Sequence, residues 1–291
     1  MSGWRVIERV ARNAPLGLRF RDLATGSDAV GGLWVEVFPR ANPRARVRAL
    51  PNRSGVYAAH ALPAAAAAGS PPEATERAWE LADVEPAALW AGAPRPYRIE
   101  VRDPRGRFLP MAFDADLPAR GLLAGVAPWL SPPGAAAGGI PLFSAPARPV
   151  PEPLAVVRAH LRDAGTRREA AWCLLGVSVN GAPRGLGMAD ERGRVAVLFP
   201  YPEPPGRSLA SPPEPRDGLT WPLELTAYPA AAAATEIPDL AEVLDALGAP
   251  RAVIEPAGGA AAPARLAYRQ ELTVRTAGAS GEDASYLAVA A

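Results

Sequence analysis

Residues 174–200 read LLGVSVNGAPRGLGMADERGRVAVLFP, and this stretch decides the fold class. It begins with a β-rich run, passes one turn at Asn180-Gly181 and another at residues 190–193, and ends in a second β-rich run at Pro200. An Asn-Gly pair between apolar runs is a strong hairpin signal, because both turn positions need positive φ. The stretch therefore predicts consecutive antiparallel strands.

The same plan occurs earlier, in residues 33–63, which read LWVEVFPRANPRARVRALPNRSGVYAAHALP. Here too a β-rich run, a turn, a glycine-bearing turn and a second β-rich run lead to a proline. Leu33, Val35 and Val37 alternate with Trp34, Glu36 and Phe38, so the two sets are expected on opposite faces of one strand. Two copies of the plan predict two similar sandwiches.

The chain is therefore expected to be all-β, with two immunoglobulin-like or prealbumin-like antiparallel β-sandwich domains and one short helix in the second. Its 291 residues suffice for two domains that each bury a core. Proline-rich sequence before the second copy favours a linker there. The predicted parts are an N-terminal arm at 1–13, a first sandwich at 14–147 with an insertion at 63–96, a linker at 148–168 and a second sandwich at 169–291.

Two local signals support this arrangement. Asp103-Pro104-Arg105-Gly106 has the residues of a tight turn between strands, which predicts a hairpin. The helix is predicted from Leu240, Val243, Leu244 and Leu247, whose i, i+3, i+4, i+7 spacing makes one apolar stripe. A single stripe of this kind packs on a sheet, and the sheet is expected to be that of the second domain.

The charge balance argues against nucleic acid as a partner. Lysine is absent, so the 31 lysine-plus-arginine residues are all arginine, but 30 acidic residues bring the net charge to +1. Arg44, Arg46 and Arg48 alternate and would line one strand face, either as a solvated surface or as contacts to an acidic partner. Apolar runs are too short to span a bilayer, and the first residues lack a secretory signal, so cytoplasmic synthesis without membrane insertion is expected.

No pattern in the sequence predicts catalysis, a cofactor or a metal. The two histidines, His60 and His160, stand far apart and have no ligand-spaced partners. Cys173 lies in a β-rich run and is expected to be a buried, inert thiol. Gly185-Leu186-Gly187 resembles the start of a dinucleotide fingerprint but lacks the third glycine. Asp114 and Asp116 could share a strand face and bind calcium, although a solvated pair is the simpler interpretation.

The aromatic residues divide into two groups by their surroundings. Trp34, Trp172 and Trp221 lie in predicted strands and are expected in the core. Trp4, Trp90 and Trp129 lie in irregular segments, where an exposed ring could anchor its own loop, contact a partner or stack on a sugar. Trp4, Ile7 and Val10 have helical spacing, so the arm could dock on a neighbour. The predicted partner contacts are Trp4, Ile7, Val10, Arg44, Arg46, Arg48, Trp90 and Trp129.

Residues 176–195 resemble the carboxypeptidase regulatory-like, or prealbumin-like, sandwich. In that family a strand, a Gly-x-Pro turn and a short return strand lead to an Asp-x-x-Gly-Arg turn, matched here by Gly181-Ala182-Pro183 and by residues 190–194. The first copy follows the scheme more loosely, with Ser54-Gly55-Val56-Tyr57 in place of the second turn. The resemblance implies non-catalytic modules that pack, cap or bind.

Residues 194–202, 221–223 and 271–276 are together similar to proteins from gene clusters for phage-tail-like contractile injection systems. This resemblance implies a structural or accessory protein that docks to tube, sheath, baseplate or cap subunits of a particle. Such a particle is assembled in the cytoplasm and can be released later. The alternative hypothesis is a carbohydrate-binding or cell-surface ligand-binding module that uses Trp90 or Trp129. The intermolecular contact is expected on the first domain and the stable scaffold in the second.

Overall fold

A computed structural model describes residues 16–59, 62, 95–117, 139–203, 218–230, 236–253, 264–276 and 285–290. Within these ranges the regular secondary structure is almost entirely β-strand, so the all-β prediction is confirmed. None of the helical residues described forms a segment long and apolar enough to cross a membrane. The strands of the first half are β1 (Leu16–Leu18), β2 (Phe20–Asp22), β3 (Trp34–Pro39), β4 (Val47–Pro51), β5 (Tyr57–Ala59), β6 (Arg95–Arg102), β7 (Met111–Leu117) and β8 (Ile140–Leu142).

The second half adds ten strands and one short helix among the described residues. They are β9 (Leu154–Asp163), β10 (Leu174–Val179), β11 (Ala182–Met188), β12 (Arg194–Pro200), β13 (Thr220–Pro222), β14 (Glu224–Tyr228), α1 (Leu240–Asp245) with a 3-10 turn (Ala246–Gly248), β15 (Arg251–Ala252), β16 (Arg265–Ala267), β17 (Leu272–Val274) and β18 (Leu287–Val289).

The first half forms one antiparallel sheet in the order β1-β5-β4-β3-β6-β7. The predicted alternation in β3 is confirmed for Val35 and Val37, which are fully buried, and for Trp34, which is exposed on the opposite face. Phe38 is buried instead of exposed, and the Arg46 guanidinium lies over its ring. The inner face carries a core in which the Phe20 and Tyr57 rings meet edge to face, with centroids 5.3 Å apart.

The second half has two four-stranded groups. One sheet has the order β11-β10-β14-β15, and in the other β12, β17 and β18 all pair with β9. The sequence predicted purely antiparallel sheets. This prediction is wrong for three strand pairs, because β17 and β18 run parallel to β9 and β2 runs parallel to β8. These sheets enclose a second core, which includes Cys173, Trp221 and Phe199.

β9 lies inside the segment 148–168 that was predicted to be a linker, and this prediction is therefore wrong for the strand. The strand is central, since β12, β17 and β18 all pair with it. Its inward residues are Ala155, Val157, Ala159 and Leu161, all buried. The alternation is weak in the sequence because two of the four side chains are alanines, and neighbouring prolines gave the stronger signal.

The helix forms at the predicted residues, but it packs on the sheet of the first half and not on that of the second. Asp239 caps it, with its carboxylate accepting a hydrogen bond from the Ala241 N–H at 2.9 Å. The helix packs beside β7, where the Ala112 N–H donates to the Pro238 carbonyl, and its apolar stripe enters the core of the first half. An apolar stripe requires a sheet as its partner, but its spacing does not specify which one. Trp172, Leu174 and Met188 join the same core, so the two halves are interlocked.

Both predicted hairpins are confirmed. Asn180 and Gly181 have φ of 52° and 73°, as a type I′ turn requires, and they join β10 to β11. Residues 103–110 connect β6 to β7, with the predicted turn at 103–106 and the return strand beginning at Met111. The glycines in β11 have a packing role, because a Cβ on Gly187 would lie 2.8 Å from the Ala196 carbonyl oxygen of β12. Their lack of side chains lets β11 approach β12 closely.

One turn geometry occurs three times among the described residues. In each copy an Asp or Asn side-chain carboxylate or amide oxygen accepts hydrogen bonds from the backbone N–H groups two and four residues later, and a glycine with positive φ stands at the fourth position. The copies begin at Asn52, Asp103 and Asp190. The turn that begins at Asn52 contains Ser54-Gly55, the loose match to Asp-x-x-Gly-Arg found in the sequence. Residues 103–107 match Asp-x-x-Gly-Arg fully, and there Arg107 Nε also donates to Asp103.

Candidate docking surface

The outer face of the six-stranded sheet is divided into a region of paired charges and a region of exposed apolar side chains. In the first region Arg46 donates to Glu36 at 3.1 Å and to Glu100 at 2.8 Å. The hydrogen bond to Glu100 is the main reason why the pKa of Arg46 is raised. The guanidinium also lies over the Phe38 ring, 4.1 Å from its centroid. The charges here are satisfied within the chain.

A second pairing extends this region to the helix. Arg98 donates to Asp239 at 2.7 Å and to Asp114 at 3.1 Å, while Arg40 lies 2.9 Å from Asp114. Burial disfavours the charged guanidinium of Arg98, but these hydrogen bonds outweigh it and its pKa is raised. Asp114 therefore neutralises arginines rather than facing Asp116 across an open site. Among the residues described, no group of histidine, cysteine, aspartate and glutamate side chains could hold a metal ion.

At the other end of the sheet three large apolar side chains are exposed. Val30 is 64% exposed, Leu50 57% and Trp34 42%. Val35 pairs with Ala49, so the antiparallel register places Leu50 beside Trp34. Val30 lies against the turn at Gly55, where an added Cβ would be 2.9 Å from its Cγ2 atom. We call Val30, Trp34 and Leu50 the apolar patch.

Arginines surround the apolar patch. The Arg48 guanidinium lies over the Trp34 ring, 4.0 Å from its centroid, and Arg102 pairs with Trp34 across β3 and β6. Arg105 lies beside Gly32, and Arg53 belongs to the turn that ends at Gly55. Residues 34, 51 and 102 are strand ends at the same end of the sheet. We call Arg48, Arg53, Arg102 and Arg105 the arginine rim.

Among the residues that the structure describes, little negative charge compensates the arginine rim. Arg102 lies 3.2 Å from Glu236, but both side chains are largely exposed, and such a pair contributes little. Within the described ranges no carboxylate lies within salt-bridge distance of Arg48, Arg53 or Arg105. The surface therefore combines exposed apolar area with a local excess of positive charge.

The predicted contact residues Arg44, Arg46 and Arg48 have different surroundings in the structure. Arg48 lies at the apolar patch, Arg44 is exposed before β4, and Arg46 is held by Glu36 and Glu100. Trp34 was expected in the core and is instead exposed, although the alternation with Val35 and Val37 already indicated the outer face. Trp172 and Trp221 are buried as predicted. The other predicted contacts, Trp4, Ile7, Val10, Trp90 and Trp129, lie outside the described residues, as does His60.

The side chains of His160 and Cys173 pack within the fold. His160 Nε2 lies 2.6 Å from the Arg192 carbonyl oxygen, and its ring packs against Tyr286 with centroids 4.3 Å apart. Cys173 is buried in the second core, as expected. Burial raises the pKa of its thiol to about 12.

Cys173 should therefore resist alkylation in the folded protein. The thiolate is the nucleophile, and at about pH 8 the folded protein holds almost none of it. The rate at which iodoacetamide alkylates Cys173, measured by mass spectrometry, should be at least about 100-fold lower without urea than in denaturing urea. Since the unfolded thiol ionises at about pH 8.5, stability should also fall above that pH. Fast labelling of the native protein would contradict the buried placement.

The chain was compared with protein-family models, curated proteins and solved structures. No protein-family model, no curated protein and no solved structure is significantly similar to the chain.

Proposed function

We propose that the protein is a non-catalytic structural or accessory component of a phage-tail-like contractile injection particle, and that it acts by docking to other protein subunits. Its two halves would be tandem prealbumin-like sandwiches. The observation that carries the docking function is the apolar patch, in which Trp34 and Leu50 are exposed side by side on the sheet and Val30 is exposed against the turn at Gly55. The particle itself is proposed from the resemblance of residues 194–202, 221–223 and 271–276 to proteins of such gene clusters.

The composition of this surface suits a protein interface. Tryptophan and arginine are the residue types that most often dominate binding energy at interfaces. Clustered apolar side chains at a surface commonly mark an interaction site. The ring of Trp34 is already held by Arg48, so docking would cost little side-chain entropy. The same contact covers one face of the indole, which counts against sugar stacking at this position.

The rest of the described chain suits a scaffold. The first core receives the helix and Trp172 from the second half, which ties the halves together. A buried ion pair between Asp22 and Arg148 adds a further connection between the start of the first half and the segment that leads to β9. A scaffold connected in this way can present a docking surface to its neighbours.

Co-sedimentation tests the proposal. Particles should be isolated by gentle ultracentrifugation from cells that carry the gene cluster, and the protein detected by immunoblot. We expect the protein to sediment with sheath and tube, and the variant Trp34→Ala/Leu50→Asp to be largely lost from the pellet. Arg192→Ala, an exposed change in the second half, is the matched control and should sediment like the wild type. Particles that consistently lack the wild-type protein would refute the function.

A further inference from the structure

We infer that the apolar patch and the arginine rim bind an acidic protein segment that carries a bulky apolar side chain. This inference rests on the proposed docking function and specifies the chemistry of the partner. Its basis is charge complementarity. Four arginines surround the patch, and the one carboxylate paired with them among the described residues is the exposed Glu236.

The contrast with the rest of the sheet supports this specificity. Arg46 and Arg98 each contact two carboxylates, so that half of the surface has no excess charge to offer a partner. Arg48, Arg53 and Arg105 have no such carboxylates within the described part of the chain. Oppositely charged surfaces steer encounter and select partners. An acidic segment would supply carboxylates to these three arginines, which contact none among the described residues.

The apolar patch specifies the second property of the partner. Leu50 and Val30 offer no hydrogen-bonding group, and their exposed area is removed from water only by another apolar surface. Arg48 can keep its contact with Trp34 while its guanidinium N–H groups donate to a carboxylate at the rim. A segment with acidic residues on both sides of an apolar one fits both requirements.

Nucleic acid fits these observations less well. Aromatic rings that bind single strands need a free face for a base, and the guanidinium of Arg48 covers one face of Trp34. The net charge of +1 gives no extended basic track for a phosphate backbone.

Fluorescence anisotropy with labelled synthetic probes tests the inference on the full chain. The probes are a short peptide of alternating glutamate and leucine, a matched peptide of glutamate and serine, a matched peptide of lysine and leucine, and a single-stranded DNA oligonucleotide. We expect the glutamate-leucine peptide to bind best, with affinity that decreases as salt is raised. Tighter binding of the lysine peptide or of the oligonucleotide would overturn the inference, as would equal binding of the serine peptide.

Charge reversal locates the binding. Arg48→Glu and Arg53→Glu should each weaken the glutamate-leucine peptide about tenfold, with a larger loss in the double variant. Arg192→Glu is the control and should bind like the wild type. Both rim positions are exposed, so circular dichroism and thermal melting should show a folded protein. Unchanged affinity in a folded double variant would overturn the inference.

The two proposals can fail separately. If the wild-type protein sediments with particles and the double variant Arg48→Glu/Arg53→Glu sediments equally well, the acidic partner is wrong while the particle function stands. If the peptide binds through the arginine rim but the protein never sediments with particles, the particle function is wrong while the surface assignment stands.

Discussion

Replacing Arg148 with methionine should lower the free energy of unfolding by about 3 to 5 kcal/mol, which is the usual cost of breaking a buried ion pair. The Arg148 guanidinium donates to both oxygens of Asp22, at 2.9 and 2.7 Å, and both side chains are only 8% exposed. Methionine would fill much of the space but leave the Asp22 carboxylate buried without its cation. Urea unfolding followed by circular dichroism measures the change.

An exposed pair provides the control for this experiment. Arg102 and Glu236 lie 3.2 Å apart with 48% and 77% of their side chains exposed, so Glu236→Ala should change stability by less than about 1 kcal/mol. Asp22→Ala should also be costly, because its carboxylate additionally accepts from the Ala24 N–H and the Thr25 hydroxyl. If Arg148→Met costs no more than Glu236→Ala, the pair does not stabilise the fold as described.

Replacing Gly193 with alanine should be the second large effect, with a loss of about 2 to 5 kcal/mol from two separate causes. Gly193 has φ of 74°, a conformation that costs an L-residue about 1 to 2 kcal/mol. In addition, a Cβ there would lie 2.5 Å from the Leu161 carbonyl oxygen, which β9 cannot easily move. Overpacking of this kind typically adds about 1 to 3 kcal/mol.

Gly106 separates the two causes, because it occupies the same position of the same turn. Its φ is 64°, but an added Cβ would meet no atom within 4 Å. Gly106→Ala should therefore lose only the conformational part, about 1 to 2 kcal/mol. Thermal melting and urea unfolding of both variants give the difference directly. Equal losses at the two sites would show that the approach of Leu161 to the turn is not as tight as described.

The sequence predicted most of the local structure because each of these signals depends on neighbouring residues alone. Asn180-Gly181 requires positive φ twice, and Val35 and Val37 alternate with Trp34, so a turn and a buried face follow without knowledge of the partner strands. β9 was missed because alanines at 155 and 159 weaken its alternation. The location of the helix was missed because its stripe of Leu240, Val243 and Leu244 fits any apolar sheet face.

The docking surface was predicted only in part, for a related reason. Arg46 and Arg48 looked equivalent in the sequence, two positions apart on one strand. The structure places Arg46 between Glu36 and Glu100, where its charge is satisfied. Arg48 lies over Trp34, and although Glu36 is its cross-strand neighbour, no carboxylate of the described residues is within salt-bridge distance of its guanidinium. Which arginine keeps its charge available depends on strands β3 and β6, and residue 100 is far from residue 46 in the chain.

The sequence by itself determined the all-β class, the turns with their glycines and the alternation that faces Val35 inward. These properties follow from backbone sterics and from the period of a strand, which act within a few residues. Only the tertiary structure decided that β11 lies against β12, that the helix joins the first core and that Trp34, Leu50 and Val30 form one patch. Those outcomes depend on which distant side chains share a buried volume or a surface, and no local preference specifies that.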